Sequence, residues 1–139
     1  MDKALGLLGL ARRGGRIELG EDAVSGACRS GHGRLLLLAS DAGDSVCHRA
    51  EYLVRGGKPP LLRLPYTKEA LGGALGRSVC PIAALTDVEL ALAFVRALDA
   101  PDEHSELLSL LETAAARVEK RRQEEKAHRK NLHRKSSKS

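Results

Sequence analysis

The first pattern along the chain is an apolar stripe with helical spacing. Its residues recur at i, i+3, i+4 and i+7, and they are Ala4, Leu7, Leu8 and Ala11. This spacing predicts an amphipathic helix over about residues 2–12. Two arginines and two glycines follow directly, which predicts that the helix ends there.

A second helix is predicted after an extended segment over residues 16–19. It begins at Gly20 and ends at Gly31. Its apolar positions repeat at helical spacing, and they are Ala23, Val24, Ala27 and Cys28. The first N–H groups of a helix have no partner within the helix, and they favour anions. The start of this helix is therefore a candidate binding site.

Short apolar runs predict the strands of a sheet. Leu35–Leu38 is four leucines in a row, a pattern typical of a strand buried on both faces. Similar runs predict strands over 61–64 and 81–85. Helices are predicted over 44–55, from a Thr67 cap to Leu75, and from a capping box at Thr86–Glu89 to Leu98. This alternation indicates an α/β fold with helices on both faces of a small sheet.

A last apolar stripe precedes the charged end of the chain. Beyond Pro101, apolar residues recur at helical spacing from Leu107 to Val118. The stripe then ends, and the following segment has no apolar face to bury. The predicted organisation is a body over residues 1–100, an amphipathic helix over 101–118, and a basic tail over 119–139, helical or disordered.

The charge of the chain is concentrated in this tail. Residues 1–111 carry 13 Lys and Arg and 14 Asp and Glu, whereas residues 112–139 carry ten and four. A neutral body with a basic appendage is typical of proteins that bind an anionic polymer. We expect the tail to reach phosphates near the main site. Its candidate contacts are Lys120, Arg121, Arg122, Lys126, Arg129, Lys130, Arg134 and Lys135.

Other classes of protein are disfavoured by what the sequence lacks. No apolar run approaches the ~20 residues of a membrane helix, and no secretory signal is recognisable, so we expect a cytoplasmic protein without a membrane partner. The three cysteines are widely spaced, which predicts neither a disulfide framework nor a metal site. No cofactor motif is present, and only three aromatic residues are available for stacking on bases.

Four segments of the body carry more specific motifs. They are LLGLARRGGRIELGEDAV over 7–24, RSGHGRLLLLASDA over 29–42, TKEALGGALG over 67–76 and IAALTD over 82–87. In this order they resemble the L-seven-Ae family of ribosomal RNA-binding proteins, and most closely its bacterial YlxQ branch. The resemblance spans residues 3–98. It implies a three-layer α/β/α sandwich with a small mixed sheet that binds structured RNA, typically a kink-turn, without enzymatic activity.

The resemblance also implies a binding surface with two parts. One is the start of the second helix, where the family pattern is G-x-N-E-x-x-K, and the other is the loop over residues 77–81. Gly20 matches the glycine, whereas Asp22, Ala23 and Gly26 replace the asparagine, glutamate and lysine. We therefore expect contacts to phosphate and to RNA shape, with weak reading of the kink-turn bases. We expect Arg12, Arg13 and Arg16 to surround the start of the second helix. The expected RNA-binding residues of the body are Arg12, Arg13, Arg16, Gly20, Glu21, Asp22, Ser25, Arg77, Ser78 and Val79.

Two other functions stay open at this point. The stripe from Leu107 to Val118 suits a protein-interaction or oligomerisation module, unless it packs on its own body. A small-ligand α/β enzyme would use Asp41, Asp44 and His48, although carboxylates there also suit the start of a helix. The main prediction is a non-enzymatic protein that binds ribosomal or another folded RNA, with possible ribosome association. The sequence leaves the oligomeric state open.

Overall fold

A four-stranded mixed sheet forms the centre of the protein. The computed structural model describes residues 2–137, with side chains described through Leu132. The strands are β1 (Ile17–Leu19), β2 (Leu35–Leu38), β3 (Leu61–Arg63) and β4 (Ile82–Leu85). Their spatial order is β1-β4-β2-β3. β2 and β3 are parallel, and β4 is antiparallel to both β1 and β2.

Helices cover both faces of this sheet. They are α1 (Lys3–Arg13), α2 (Glu21–Arg29), α3 (Asp44–Leu53), α4 (Lys68–Leu75), α5 (Val88–Ala97) and α6 (Ser105–Ser137). Successive residues of a strand point to opposite faces, so Leu35 and Leu37 join one core with α1, α4, α5 and α6. Leu36 and Leu38 join a second core with α2 and α3. The predicted three-layer α/β/α sandwich is confirmed.

The elements of the body lie within about two residues of their predicted positions, with one corrected cap. The residue that caps α5 is Asp87, whose carboxylate accepts the Leu90 N–H at 3.0 Å, and not Thr86. The N–H of Thr86 donates to the Arg16 carbonyl at 2.9 Å. This bond holds Thr86 against the residue that precedes β1, and the helix begins one residue later than its capping-box pattern predicted.

The C-terminal segment is one continuous helix, α6, which crosses the predicted boundary at residue 118. Leu111 is only 1% exposed, and the rest of the apolar stripe packs on the same core. Residues 119–132 are exposed, so this part of α6 is a solvated helix. Arg134 and Lys135 lie beyond the last described side chain. None of the helices within residues 2–137 has both the length and the apolar character needed to cross a membrane.

Candidate nucleic-acid interface

The strand register divides the sheet into two ends. At one end β1, β2 and β3 finish and β4 begins, because Leu19 lies opposite Ala83 and Leu38 opposite Ile82. We call this the α2 end, since α2 begins there. At the other end β1 begins and β4 finishes, and we call this the α5 end. A strand of four residues separates the two ends by about 13 Å.

Gly20 joins β1 to α2 at the α2 end. Its φ of 89° is a conformation that side chains disfavour, and its N–H donates to the Ile82 carbonyl at 3.2 Å. No side chain caps the first turn of α2. A Cβ at Gly20 would lie 3.6 Å from Nη1 of Arg77. The two parts of the expected surface, the start of α2 and the loop before β4, are therefore adjacent.

The loop over residues 77–79 is held against α4 from both sides. Gly76 ends α4 with a φ of 75°, and the N–H of Arg77 then donates to the Gly72 carbonyl at 2.8 Å. On the far side, the N–H of Cys80 donates to the Lys68 carbonyl at 2.8 Å. Arg77, Ser78 and Val79 are all exposed. The loop therefore presents a guanidinium, a hydroxyl and an apolar side chain from a backbone that is fixed.

Cys80 anchors this loop in the core and is not a reactive group. The residue is 1% exposed, and its thiol donates to the Ile82 carbonyl at 3.3 Å. Burial raises the pKa of the Cys80 thiol, an effect larger than the opposing influence of the Arg77 charge. The thiolate is thus disfavoured at neutral pH, and Cys80 contributes packing and not nucleophilic chemistry.

Gly72 allows this close approach, which leads to a first prediction. A Cβ at this position would lie 2.7 Å from the Arg77 carbonyl oxygen and 2.9 Å from the Ser78 carbonyl group. We expect Gly72→Ala to displace the loop and to lower the free energy of unfolding by about 1–3 kcal/mol. Urea unfolding followed by circular dichroism measures this change.

The matched control for this variant is Gly73→Ala in the same helix. A Cβ at Gly73 meets nothing within 4 Å, and alanine is a better helix former than glycine by roughly 0.5–1 kcal/mol. Gly73→Ala should therefore raise the free energy of unfolding. Equal stabilisation by both substitutions would show that the loop does not press on α4 at Gly72.

Two of the three positions that depart from the family pattern, Asp22 and Gly26, have room for the family side chains. Asp22 and Gly26 are exposed, and Ala23 is half-buried. A Cβ at Gly26 would meet nothing within 4 Å. Glu21, half-buried, and Asp22 lie in the first turn of α2, where carboxylates complement the helix dipole. The departures from the pattern are therefore not imposed by packing around Asp22 or Gly26.

Ser25 does not reach the surface, which corrects its expected role as an RNA contact. The residue is 4% exposed, and its Oγ has no hydrogen-bond partner among the described residues. It lies three residues before Cys28, which packs on the second core, so it is on the inner side of α2. Helical spacing showed that Ser25 was near the helix start but not which way it faced.

The unpaired hydroxyl of Ser25 gives a second prediction. A buried polar group without a partner destabilises the folded state by about 1–3 kcal/mol. Ser25→Ala removes that group, so we expect the free energy of unfolding to rise by about 1 kcal/mol, with RNA affinity unchanged. Urea unfolding and an RNA titration test both parts. A fall in stability would show that the hydroxyl has a bonding partner in solution.

Arg12, Arg13 and Arg16 lie at the α5 end and not beside the start of α2. Arg16 directly precedes β1, and its guanidinium forms an ion pair with Asp87, the cap of α5. Arg12 and Arg13 are exposed in the last turn of α1, just before this point. The expectation that they surround the start of α2 is wrong, because the whole of β1 separates Arg16 from Gly20.

The basic tail also leaves the body at the α5 end. Arg122 donates to Oε1 of Glu89, in the first turn of α5, at 2.6 Å. This bond raises the pKa of the Arg122 guanidinium, and Asp87 adds to the effect. The tail therefore begins near Arg16 and not near Gly20. The basic residues thus form two surfaces, one at each end of the sheet.

Two of the features considered for other functions, Asp41 and the stripe from Leu107 to Val118, have structural contacts. Oδ1 of Asp41 accepts the Lys68 N–H at 2.8 Å and so caps α4. Asp44 is in the first turn of α3, and His48 is exposed on the same helix. No cluster of three or more metal-ligating side chains occurs in the part of the chain that the structure describes. The stripe from Leu107 to Val118 packs on the body's own core.

Comparisons with known proteins support the fold alone. No family model matches the chain, and no curated protein matches it. Among solved structures, the chain is similar to a protein with unknown function from Bacillus halodurans C, with 26% sequence identity and a TM-score of 0.65. The match covers 71% of this chain and 99% of that chain. The greater part of this chain thus corresponds to a whole protein of the same fold.

Proposed function

We propose that this protein binds structured RNA, ribosomal or another folded RNA, through the α2 end of its sheet. The observation that carries the proposal is the guanidinium of Arg77 beside Gly20, at a helix start with no capping side chain. Free N–H groups of a helix start and a guanidinium both bind phosphate oxygens. The resemblance to the L-seven-Ae family assigns RNA contacts to the same two segments.

Arg77 is available for such a contact. Among the described residues, the ion pairs of basic side chains involve Arg16, Arg96 and Arg122, so none includes Arg77. The carboxylates of Glu21 and Asp22 repel phosphate. Contacts at this end are therefore expected from Arg77, from the hydroxyl of Ser78 and from the backbone at Gly20.

Binding in this mode needs neither a cofactor nor a catalytic group. Backbone and guanidinium contacts to phosphate set the position of an RNA but read little of its sequence. Arg12, Arg13 and the basic tail provide a second contact at the α5 end. An RNA that engages both ends and the tail therefore spans the sheet and the length of the projecting helix. Folded ribosomal RNA in the cytoplasm, free or within the ribosome, has this character.

The experiment that tests the proposal is crosslinking of the full chain to RNA in cell extract, followed by sequencing of the bound RNA. The recovered RNA is then titrated against three proteins: the unmodified chain, Arg77→Gln, and Arg96→Gln as a control with the same loss of charge. We expect Arg77→Gln to lower affinity roughly tenfold to 150-fold, which corresponds to about 1.5–3 kcal/mol for a hydrogen bond to a charged group. Arg96→Gln should change the affinity less than twofold. Failure to recover any RNA, or equal effects of the two variants, would overturn the proposal.

A further inference from the structure

An open groove of about 840 Å³ lies between α6 and the body, away from the surface at Gly20. One wall is α6 from Ser105 to Arg117, and the other is formed by the loops that precede β2 and β3. Twelve helical steps give this wall a length of about 18 Å. The volume is within the range of about 300–1,000 Å³ found for small-molecule sites.

The groove has an apolar lining and basic side chains. Val88 and Leu110 contribute to the lining, and Leu110 is 51% exposed although its neighbour Leu111 is 1% exposed. Arg34, Lys58 and Arg117 also line the groove, and none of them has an ion pair among the described residues. Glu106 is the one acidic residue in the lining.

The charge is divided along the groove. Glu106 lies near the beginning of α6, and Arg117 lies three turns later, so the two ends of this wall differ in sign. This distribution of charge favours the binding of an elongated anion, with its charged group near Arg117 and its apolar part over Leu110. Arg34, Lys58 and Arg117 are exposed at the groove, so an occupant with an anionic group gains ion pairs that a purely apolar occupant cannot form.

Neither a bare phosphate nor a nucleobase fits this groove as well. The N–H groups of Gly31, His32 and Gly33 donate to the carbonyls of Ala27 and Cys28, so the glycine-rich loop cannot cradle a phosphate with them. No aromatic side chain is part of the lining, so a base has no stacking partner. What remains is an aliphatic body that carries one anionic group.

We propose that the groove between α6 and the loops before β2 and β3 binds an amphipathic anion, an aliphatic chain with a terminal phosphate or carboxylate. Arg117 binds the charged group, and Arg34 and Lys58 on the facing loops add positive charge to the groove. Leu110 and Val88 contact the chain. This site lies at the α5 end of the sheet, on the same side as the basic tail. It is separate from the proposed RNA surface at Gly20 and does not depend on it.

The test is titration of the folded full chain with dodecyl phosphate and with dodecanoate, below their micelle concentrations, by isothermal calorimetry. Dodecanol and inorganic phosphate are the probes for chain alone and charge alone. We expect one saturable site for at least one of the two anions, with binding at least roughly tenfold weaker for dodecanol and for inorganic phosphate. The preferred anion identifies the head group as phosphate or carboxylate.

Two variants locate the site, and two more control for the change. We expect Leu110→Asp to weaken binding roughly tenfold or more, because it places a carboxylate where the chain lies, and Arg117→Gln to weaken it roughly fivefold or more. Leu10→Asp, on an equally exposed leucine of α1 that is 53% exposed, and Arg96→Gln should each change it less than twofold. Circular dichroism confirms that every variant is folded.

Three results would overturn the proposal: no saturable binding of either anion, equal binding of dodecanol, or equal loss in Leu10→Asp and Leu110→Asp. A fall in RNA affinity in Arg117→Gln without any anion binding would assign the groove to the RNA surface and would also overturn it. Loss of anion binding with unchanged RNA affinity is the result we expect for the groove variants.

Discussion

Restoring the family pattern at the start of α2 is expected to raise the affinity of the full chain for a kink-turn RNA by roughly tenfold or more, since each good base contact contributes about 1–3 kcal/mol. The variant combines three substitutions, Asp22→Asn, Ala23→Glu and Gly26→Lys. An asparagine amide both donates and accepts, whereas the ionised Asp22 only accepts. Asp22 and Gly26 are exposed, and Gly26 has open space for a side chain. A filter-binding or fluorescence-polarisation titration measures the change.

The controls for this prediction separate base reading from charge. The three substitutions add one positive charge in total, so Asp102→Asn, in the exposed segment before α6, is a charge-matched control that should leave affinity within about twofold. A straight RNA duplex of the same length should gain little from the triple substitution. Tight binding of the kink-turn by the unmodified chain, in preference to the duplex, would contradict the expectation that these positions limit base reading.

The result for the triple substitution would also show whether the resemblance to the L-seven-Ae family extends to the geometry of the surface. The structure places Arg77 beside Gly20 whatever the neighbouring side chains are. If three substitutions on one turn of α2 create bend-selective binding, the surface already has the geometry that the family uses, and only its side chains differ. If they do not, the proposed RNA contact at the α2 end rests on the backbone and Arg77 alone, and the shape of the RNA would determine its affinity.

The fold could be predicted from the sequence because its strands are strongly patterned. Four consecutive leucines at Leu35–Leu38 are compatible with a strand covered on both sides, and all four are buried. Thr67 and Gly76 mark the two ends of α4, where the threonine accepts the Ala70 N–H and the glycine adopts a φ of 75°. Local chemistry decides such features, so the residues themselves carry the information.

The candidate binding surface was less predictable because its composition depends on which elements meet in the fold. Arg16 and Gly20 are four residues apart, yet β1 places them at opposite ends of the sheet. Conversely, Gly20 and Arg77 are far apart in the chain and adjacent in space. The side to which Ser25 faces, and the end at which α6 leaves the body, are likewise set by packing between elements. Such relations need the register of the sheet, which no local pattern contains.

The length of α6 could be predicted only in part. Its apolar stripe ends at Val118, and the pattern of the following segment is compatible with a helix or with disorder. The structure continues the helix because Glu, Lys, Arg and Gln are good helix formers. Glu119 accepts hydrogen bonds from Arg122 and Gln123 at 3.2 and 3.3 Å. Fifteen residues beyond Arg122 give a projection of about 22 Å from the body.

Removal of residues 123–139 is expected to lower the magnitude of the salt slope for RNA binding, d log K/d log[salt], by about 3 to 5. This segment contains six Lys and Arg, and each phosphate contact contributes roughly 0.7–0.9 to the slope. The range of about 3 to 5 therefore corresponds to about four to six of these residues engaging the RNA. The cut falls after Arg122, which is bonded to Glu89 and Glu119. It therefore keeps the packing of α6 on α5, and the body should stay folded by circular dichroism.

A second variant separates the effect of the tail's charge from the effect of its length. Replacing the six basic residues of this segment with glutamine keeps the helix formers and removes the same positive charges, so the salt slope of this variant should match that of the truncated chain.

Because the tail leaves from the α5 end, its effect should also depend on RNA length. A short hairpin that reaches only the α2 end should have the same slope with and without the tail. A slope that the truncation does not change, on a long RNA, would show that the tail does not bind it. An equal effect on the short hairpin would show that the tail folds back toward Gly20.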